Sequence, residues 1–237
     1  MKKRIWELDA FRGLCVLGMV AVHLVYDLVY LYRMVSWKLP EWFLFVQEWG
    51  GLLFLLLSGI CVTLGRHSVK RGALVFACGL VCTLVTGLMF AYDFAGRSII
   101  IFFGVLHCLG CCMLLWPVFK RLPWWGLLLL GGALAALGLW MGTLPPVENN
   151  WLFPIGLIPK GFASSDYFPL FPNLGYFLMG AALGKTVYGK KESLLPGWEG
   201  KSFLFRGLQW CGTHSLWIYL LHQPVLSGIL YVITLLK

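Results

Sequence analysis

Three histidines and an aspartate interrupt sequence that is otherwise apolar. His23 and Asp27 stand in GMVAVHLVYDLVY, His107 in FGVLHCLG and His222 in WIYLLHQPV. A neutral imidazole can take a proton from an attacking hydroxyl or amine, and a carboxylate can hold its tautomer and stabilise the charged ring. His23 and Asp27 are four residues apart and share one helix face, so Asp27 is the candidate to orient His23. A donor on another helix is the alternative claimant for that carboxylate. Asp9 and Arg12 stand where the same run begins, placed for an ion pair or a phosphate contact. Basic flanking of an apolar segment would also account for Arg12. The chemistry these residues suit is transfer of a group onto a hydroxyl or amine, with His23 as general base.

Membrane helices must position them. The chain has 237 residues, 59% hydrophobic and 12% charged, with a mean hydropathy of +0.80. That composition excludes a soluble domain of this size. Seven apolar runs, at about 13–32, 43–64, 72–91, 98–118, 124–143, 170–187 and 208–235, are long enough to span a bilayer, and only helices can present them to lipid. The net charge of +9 could suggest nucleic acid, but its distribution follows topology instead. Fourteen Lys and Arg fall at the N-terminus and after the second, fourth and sixth runs, against five (Arg33, Lys38, Arg97, Lys160 and Lys237) on the other side. The expectation is an all-α polytopic membrane protein, a bundle of about seven transmembrane helices in one domain over 1–237. Its N-terminus is cytoplasmic, and its first run is too long and too polar for a cleavable signal peptide.

Helical rise places His23 about 16 Å beyond Arg12, His107 about 14 Å into the fourth run and His222 about 21 Å into the seventh. All three depths lie near the bilayer centre, where an ionisable group implies a site. The alternative is that each ring hydrogen-bonds a neighbouring helix and holds the bundle together. All eight cysteines fall in apolar runs and read as reduced packing residues. HCLGCC (His107–Cys112) lacks the spacing of a zinc site and no second cluster completes four ligands, so no metal is expected. An acyl-cysteine is disfavoured because apolar burial makes a thiol inert. His67 and His214 read as interfacial, as do Gln47 and Glu48. The aromatics of the long connection 144–169 fit an interfacial belt better than a lid.

Five segments together resemble a known family: LDAFRG with the run to His23, FLLLSG (Phe54–Gly59), FGVLHCLG, DYFPLFPNLGYFLMGAALG (Asp166–Gly184) and SLWIYLLHQPV (Ser215–Val225). They are similar to the heparan-alpha-glucosaminide N-acetyltransferase catalytic-domain family in its short bacterial form. Arg12 and His23, with ten residues between them, are more distantly similar to the R-x10-H pattern of the acyltransferase-3 family. The resemblance implies a multi-pass enzyme of the bacterial cell membrane. It would move an acetyl or other acyl group from cytoplasmic acyl-CoA to a hydroxyl or amine, usually of a carbohydrate. One departure matters. Where animal members carry a proposed catalytic histidine before a Ser-Trp pair, RMVSW (Arg33–Trp37) has Met34, so heparan is a poor substrate guess and the role moves to His23.

The leading assignment makes His23 the base and Asp27 its orienting group. Arg12, Asp9 and His107 face the acetyl-CoA or other acyl-CoA co-substrate, and His222, Tyr219 and Asp166 face the acceptor. Expected partners are membrane lipids and a carbohydrate-like acceptor, not nucleic acid; a homo-oligomer is left open. Two other classes compete. A proton-coupled transporter would use the same histidines as a relay, although no internal repeat supports it. A non-catalytic membrane protein would be indifferent to acetyl-CoA.

Overall fold

The structure is a computed structural model that describes residues 4–94, 96–198 and 202–236. Lys2, Lys3, Lys201 and Lys237, four of the charges used for orientation, lie outside the described residues, as does the side chain of Glu48. The described chain is helical: α1 Trp6–Tyr26, α2 Glu41–Leu64, α3 Ser68–Ala91, α4 Val105–Phe119, α5 Trp124–Met141, α6 Leu170–Val187, α7 Phe203–Thr213 and α8 Ser215–Leu235. A π-helical turn, Asp27–Leu31, extends α1. Among the described residues, five helices are long and apolar enough to cross a bilayer: α1 with its π turn, α2, α3, α5 and α8. The apolar α4 is shorter, with 15 residues. Large apolar side chains such as Leu84 and Leu129 stand outward on these helices, which lipid as apolar as leucine accepts without cost. The protein is an all-α membrane protein.

The chain divides into two compact units, Met1–Phe54 with Lys191–Lys237, and Leu55–Lys190. In the first, α1 opens with Glu7 and Asp9 in its first turn, where negative charge offsets the helix dipole. α7 lies parallel to α1 at backbone contact, with Trp6 against Phe205 at 5.5 Å and Gly13 against Gly212. A Cβ on Gly13 would stand 2.0 Å from the Leu208 carbonyl oxygen, and one on Gly212 would stand 1.7 Å from that of Asp9. Only glycine permits this approach, the small-residue packing that membrane helices favour. α8 also runs parallel to α1, since His23 meets His222, Asp27 meets Gln223 and the Tyr32 hydroxyl donates to the Ser227 carbonyl at 2.9 Å.

The seventh apolar run therefore keeps one direction through α7 and α8, with a break in the helix at His214. The helix is interrupted at His214 (φ −105°, ψ 14°), whose ring stacks on Trp210 at 4.5 Å with Nδ1 2.9 Å from the Trp210 carbonyl. The Thr213 hydroxyl also donates to that carbonyl, the local bonding by which Ser and Thr compete with helix continuation. His222 lies about 10 Å into α8, beyond this break.

In the second unit α3 packs on α4, and α5 and α4 pack on α6. α6 also meets the second half of α2, where Cβ atoms on Gly59 and Gly180 would each stand 2.0 Å from a facing carbonyl. Leu55, Leu127, Phe177, Leu178, Cys108 and Cys112 form its fully buried centre. The fourth apolar run becomes helical only at Val105; before it, residues 97–104 form a 3-10 turn and an extended strip.

Candidate functional site

In the first unit, α1 and α8 bring two of the three expected histidines into contact. His23 Nδ1 lies 2.7 Å from His222 Nε2, with ring centroids 4.8 Å apart. His222 Nδ1 lies 2.6 Å from the Tyr219 carbonyl oxygen. A carbonyl can only accept, so His222 Nδ1 carries a hydrogen, and the Nε2 of the neutral ring is an acceptor. His23 Nδ1 must then donate to it, which leaves the lone pair of His23 on Nε2. The order His23 Nδ1–H to His222 Nε2, then His222 Nδ1–H to Tyr219 O, defines one base nitrogen. Tyr219 takes part through its main chain, with its ring 5.6 Å from that of His222.

Asp27 is 1% exposed, and its carboxylate does not close on His23 in the way helix spacing suggests. Both its oxygens accept from Gln223 Nε2, at 3.1 and 2.9 Å. The Gln223 side chain also reaches the His23 ring. Gln223 is the residue that sequence reasoning missed. Its signal was present, since an amide beside His222 in a span is as unusual in lipid as the histidine itself.

At the other end of α1, Asp9 is buried between two guanidinium groups, with Arg12 Nη1 and Arg4 Nε each 3.1 Å from one carboxylate oxygen. Arg12 is anchored there, about 16 Å along the helix from His23. The same end of α1 holds the chain that follows α6, because Glu7 accepts from the Ser193 hydroxyl and the Leu194 amide, and Trp6 Nε1 donates to Leu195 O.

His107 and Asp166 belong to the second unit and meet each other's neighbours at the start of α4. The Gly104 amide donates to His107 Nδ1 at 3.2 Å, so the ring hydrogen sits on Nε2, 3.3 Å from Thr83 Oγ1. Thr83 in turn donates to Ile101 O at 2.6 Å. The His107 ring rests against Gly79, edge-on to Phe76 and stacked on Phe103. Both ring nitrogens are thus engaged within this unit. Asp166 Oδ2 accepts from the Val105 amide at 3.0 Å, supplying the cap that Gly104 has no side chain to provide.

The connection before α6 is docked on that strip. Ser164 donates to Ile100 O and accepts from the Phe102 amide, Ser165 donates to Ile99 O, and Phe168 N donates to Phe103 O. Phe102, Phe153, Phe162 and Tyr167 stack into one cluster. The Tyr167 hydroxyl donates to Phe153 O, and burial pushes its pKa up to about 12. The aromatics of this connection therefore pack on each other. The eight cysteines are free thiols. Among the described residues no group of three His, Cys, Asp or Glu is gathered to hold a metal ion.

Fold and site together define a helical membrane protein with an ordered histidine pair inside its apolar helices. The family model described as Heparan-alpha-glucosaminide N-acetyltransferase, catalytic, matches residues 4–224, and the chain belongs to that family. Membership implies acetyltransferase activity in general. Searches of curated proteins and of solved structures give no match.

Proposed function

We propose that the protein is a multi-pass acyltransferase of the bacterial cell membrane that takes an acetyl or other acyl group from cytoplasmic acyl-CoA. The acceptor is an amine or hydroxyl, most simply of a carbohydrate, reached at or across a bilayer whose cytoplasmic face holds the N-terminus. The single observation that carries this reading is the hydrogen-bonded order that uses the His222 Nε2 lone pair within the pair and leaves that of His23 Nε2 to act as base. The acceptor's amine or hydroxyl attacks the thioester carbonyl while Nε2 takes its proton. The carbon–sulfur bond then breaks, and the departing thiolate recovers that proton from His23. His222 holds the ring and spreads the charge it gains. Arg12, about 16 Å away along α1, lies at a separation that an extended pantetheine arm can bridge, and suits the CoA phosphates. His107 and Asp166 act in this reading as positioning residues that fix the start of α4.

The test uses the full chain purified in detergent, with acetyl-CoA and glucosamine as the probe amine. Free thiol release coupled to labelled acetyl-glucosamine is expected, and its loss in His23→Ala with intact thermal stability supports the assignment. Retained turnover in that variant removes His23 from the mechanism. Two rings sharing one hydrogen bond also suit a proton relay. Solute uptake into proteoliposomes without CoA consumption would favour that second reading.

A further inference from the structure

Helix spacing alone assigns Asp27 to His23 directly, but Gln223 takes the Asp27 carboxylate. Asp27 is the fully buried carboxylate of the site, and both its oxygens are taken by one amide nitrogen, Gln223 Nε2. An amide nitrogen donates and its oxygen only accepts, so a carboxylate on one end fixes which end faces away. Gln223 Oε1 is buried and closes no hydrogen bond among the described residues, while the same side chain reaches the His23 ring. A buried acceptor left unsatisfied is costly and calls for a reason. On the acyl-transfer reading, we infer that Gln223 is a positioning residue through which Asp27 acts on His23. Asp27 orients the amide; the amide's carbonyl dipole, aimed by that contact, favours the ring at the moment it gains the acceptor's proton. The interaction strengthens only as charge forms on His23, so it belongs to the transition state rather than to binding. Asp27 has no bond to either histidine in this arrangement and needs none.

The experiment measures kcat and KM for acetyl-CoA in the purified full chain with the glucosamine probe, for Gln223→Met, Asp27→Leu and the double variant. In parallel, 15N spectra of imidazole-labelled protein follow the His23 ring, assigned by difference against His23→Asn. Gln223→Met is expected to lower kcat about tenfold, the factor one hydrogen bond's net contribution supports, with KM for acetyl-CoA unmoved. Asp27→Leu should match it, and the double variant should be no worse than either, because the two residues act as one unit. The His23 ring signals should move equally in all three. Multiplying losses, or a change in KM without kcat, would overturn the inference, since Asp27 and Gln223 would then act separately or only shape binding. Should Asp27→Leu fail to fold, Asp27→Asn retains an acceptor for Gln223 Nε2 and should cost less than Gln223→Met. Gln223→Asn, too short to reach, is the second arm for the amide. A wild-type protein that transfers nothing overturns the acyl-transfer reading instead, and the ring signals then judge the coupling by themselves.

Discussion

Replacing His222 by phenylalanine tests the ordered pair most directly. The ring volume is retained, but Nε2, the acceptor for His23 Nδ1 at 2.7 Å, is removed along with the Nδ1 that donates to Tyr219 O. His23 is left with a partly buried N–H and no acceptor, a penalty of about 1–3 kcal/mol in stability. The Tyr219 carbonyl loses less, because it sits in the first half of α8 with a main-chain partner available one turn on. The larger effect is on turnover. Without His222, nothing on that side holds the hydrogen on Nδ1, so the base nitrogen is no longer defined. General-base catalysis contributes about 10²–10⁴-fold, and losing its orientation should forfeit at least about 100-fold in kcat. His222→Gln is the comparison, because its Oε1 can still accept from His23 and should recover part of that loss. The assay is acetyl-CoA-dependent thiol release with glucosamine, alongside thermal melting in the same detergent. A folded His222→Phe protein with near wild-type kcat would refute the tautomer argument. So would a His222→Gln variant no better than the phenylalanine.

Other perturbations have separate expected outcomes. Arg12→Ala should raise KM for acetyl-CoA while leaving kcat within about threefold, since it acts about 16 Å from the base; steady-state kinetics in acetyl-CoA checks this. Asp166→Ala removes the cap from the Val105 amide and should cost about 1–2 kcal/mol in melting experiments. Gly13→Val should abolish folding of the α1–α7 pair, read as loss of detergent-stable monodisperse protein, because its Cβ would lie 2.0 Å from the Leu208 carbonyl oxygen. Tyr167, with its pKa pushed from 10.0 to about 12, keeps its proton in the fold after the unfolded chain has lost it. Stability should therefore be level below pH 10 and fall between pH 10 and about 12, and Tyr167→Phe should abolish that component of the alkaline loss.

Much of this was legible in the sequence for a physical reason: in lipid, polar residues are conspicuous. His23, Asp27 and His222 stood out because the runs around them are almost wholly apolar, and across α1 and α8 His23 meets His222 while Asp27 meets Gln223. His107 stood out by the same rule, yet its nitrogens serve Gly104 and Thr83, because a polar side chain in lipid also serves to satisfy backbone at a helix start. Spacing suggested that Asp27 would hold His23. A neighbour four residues away on one helix shares a face without sharing a hydrogen bond, and Gln223 stands between them. The break at His214 was not legible, because FLFRGLQWCGT and SLWIYLLHQPV read as one apolar stretch; the two helices keep one direction along α1, with Trp6 against Phe205 and His23 against His222. The late start of α4 was hidden too, since SIIIFFG is apolar whether helical or extended, and its partner strip lies more than 60 residues on.

The two rings that meet at 2.7 Å are separated by 199 residues of chain. During synthesis the first helix must therefore wait in the bilayer, its imidazole lacking the mate that defines its protonation, until nearly all the intervening spans have been inserted. A prematurely terminated product would carry the nucleus of the machinery without the ability to run it, and competence arrives in a single late step when α8 slides in beside α1.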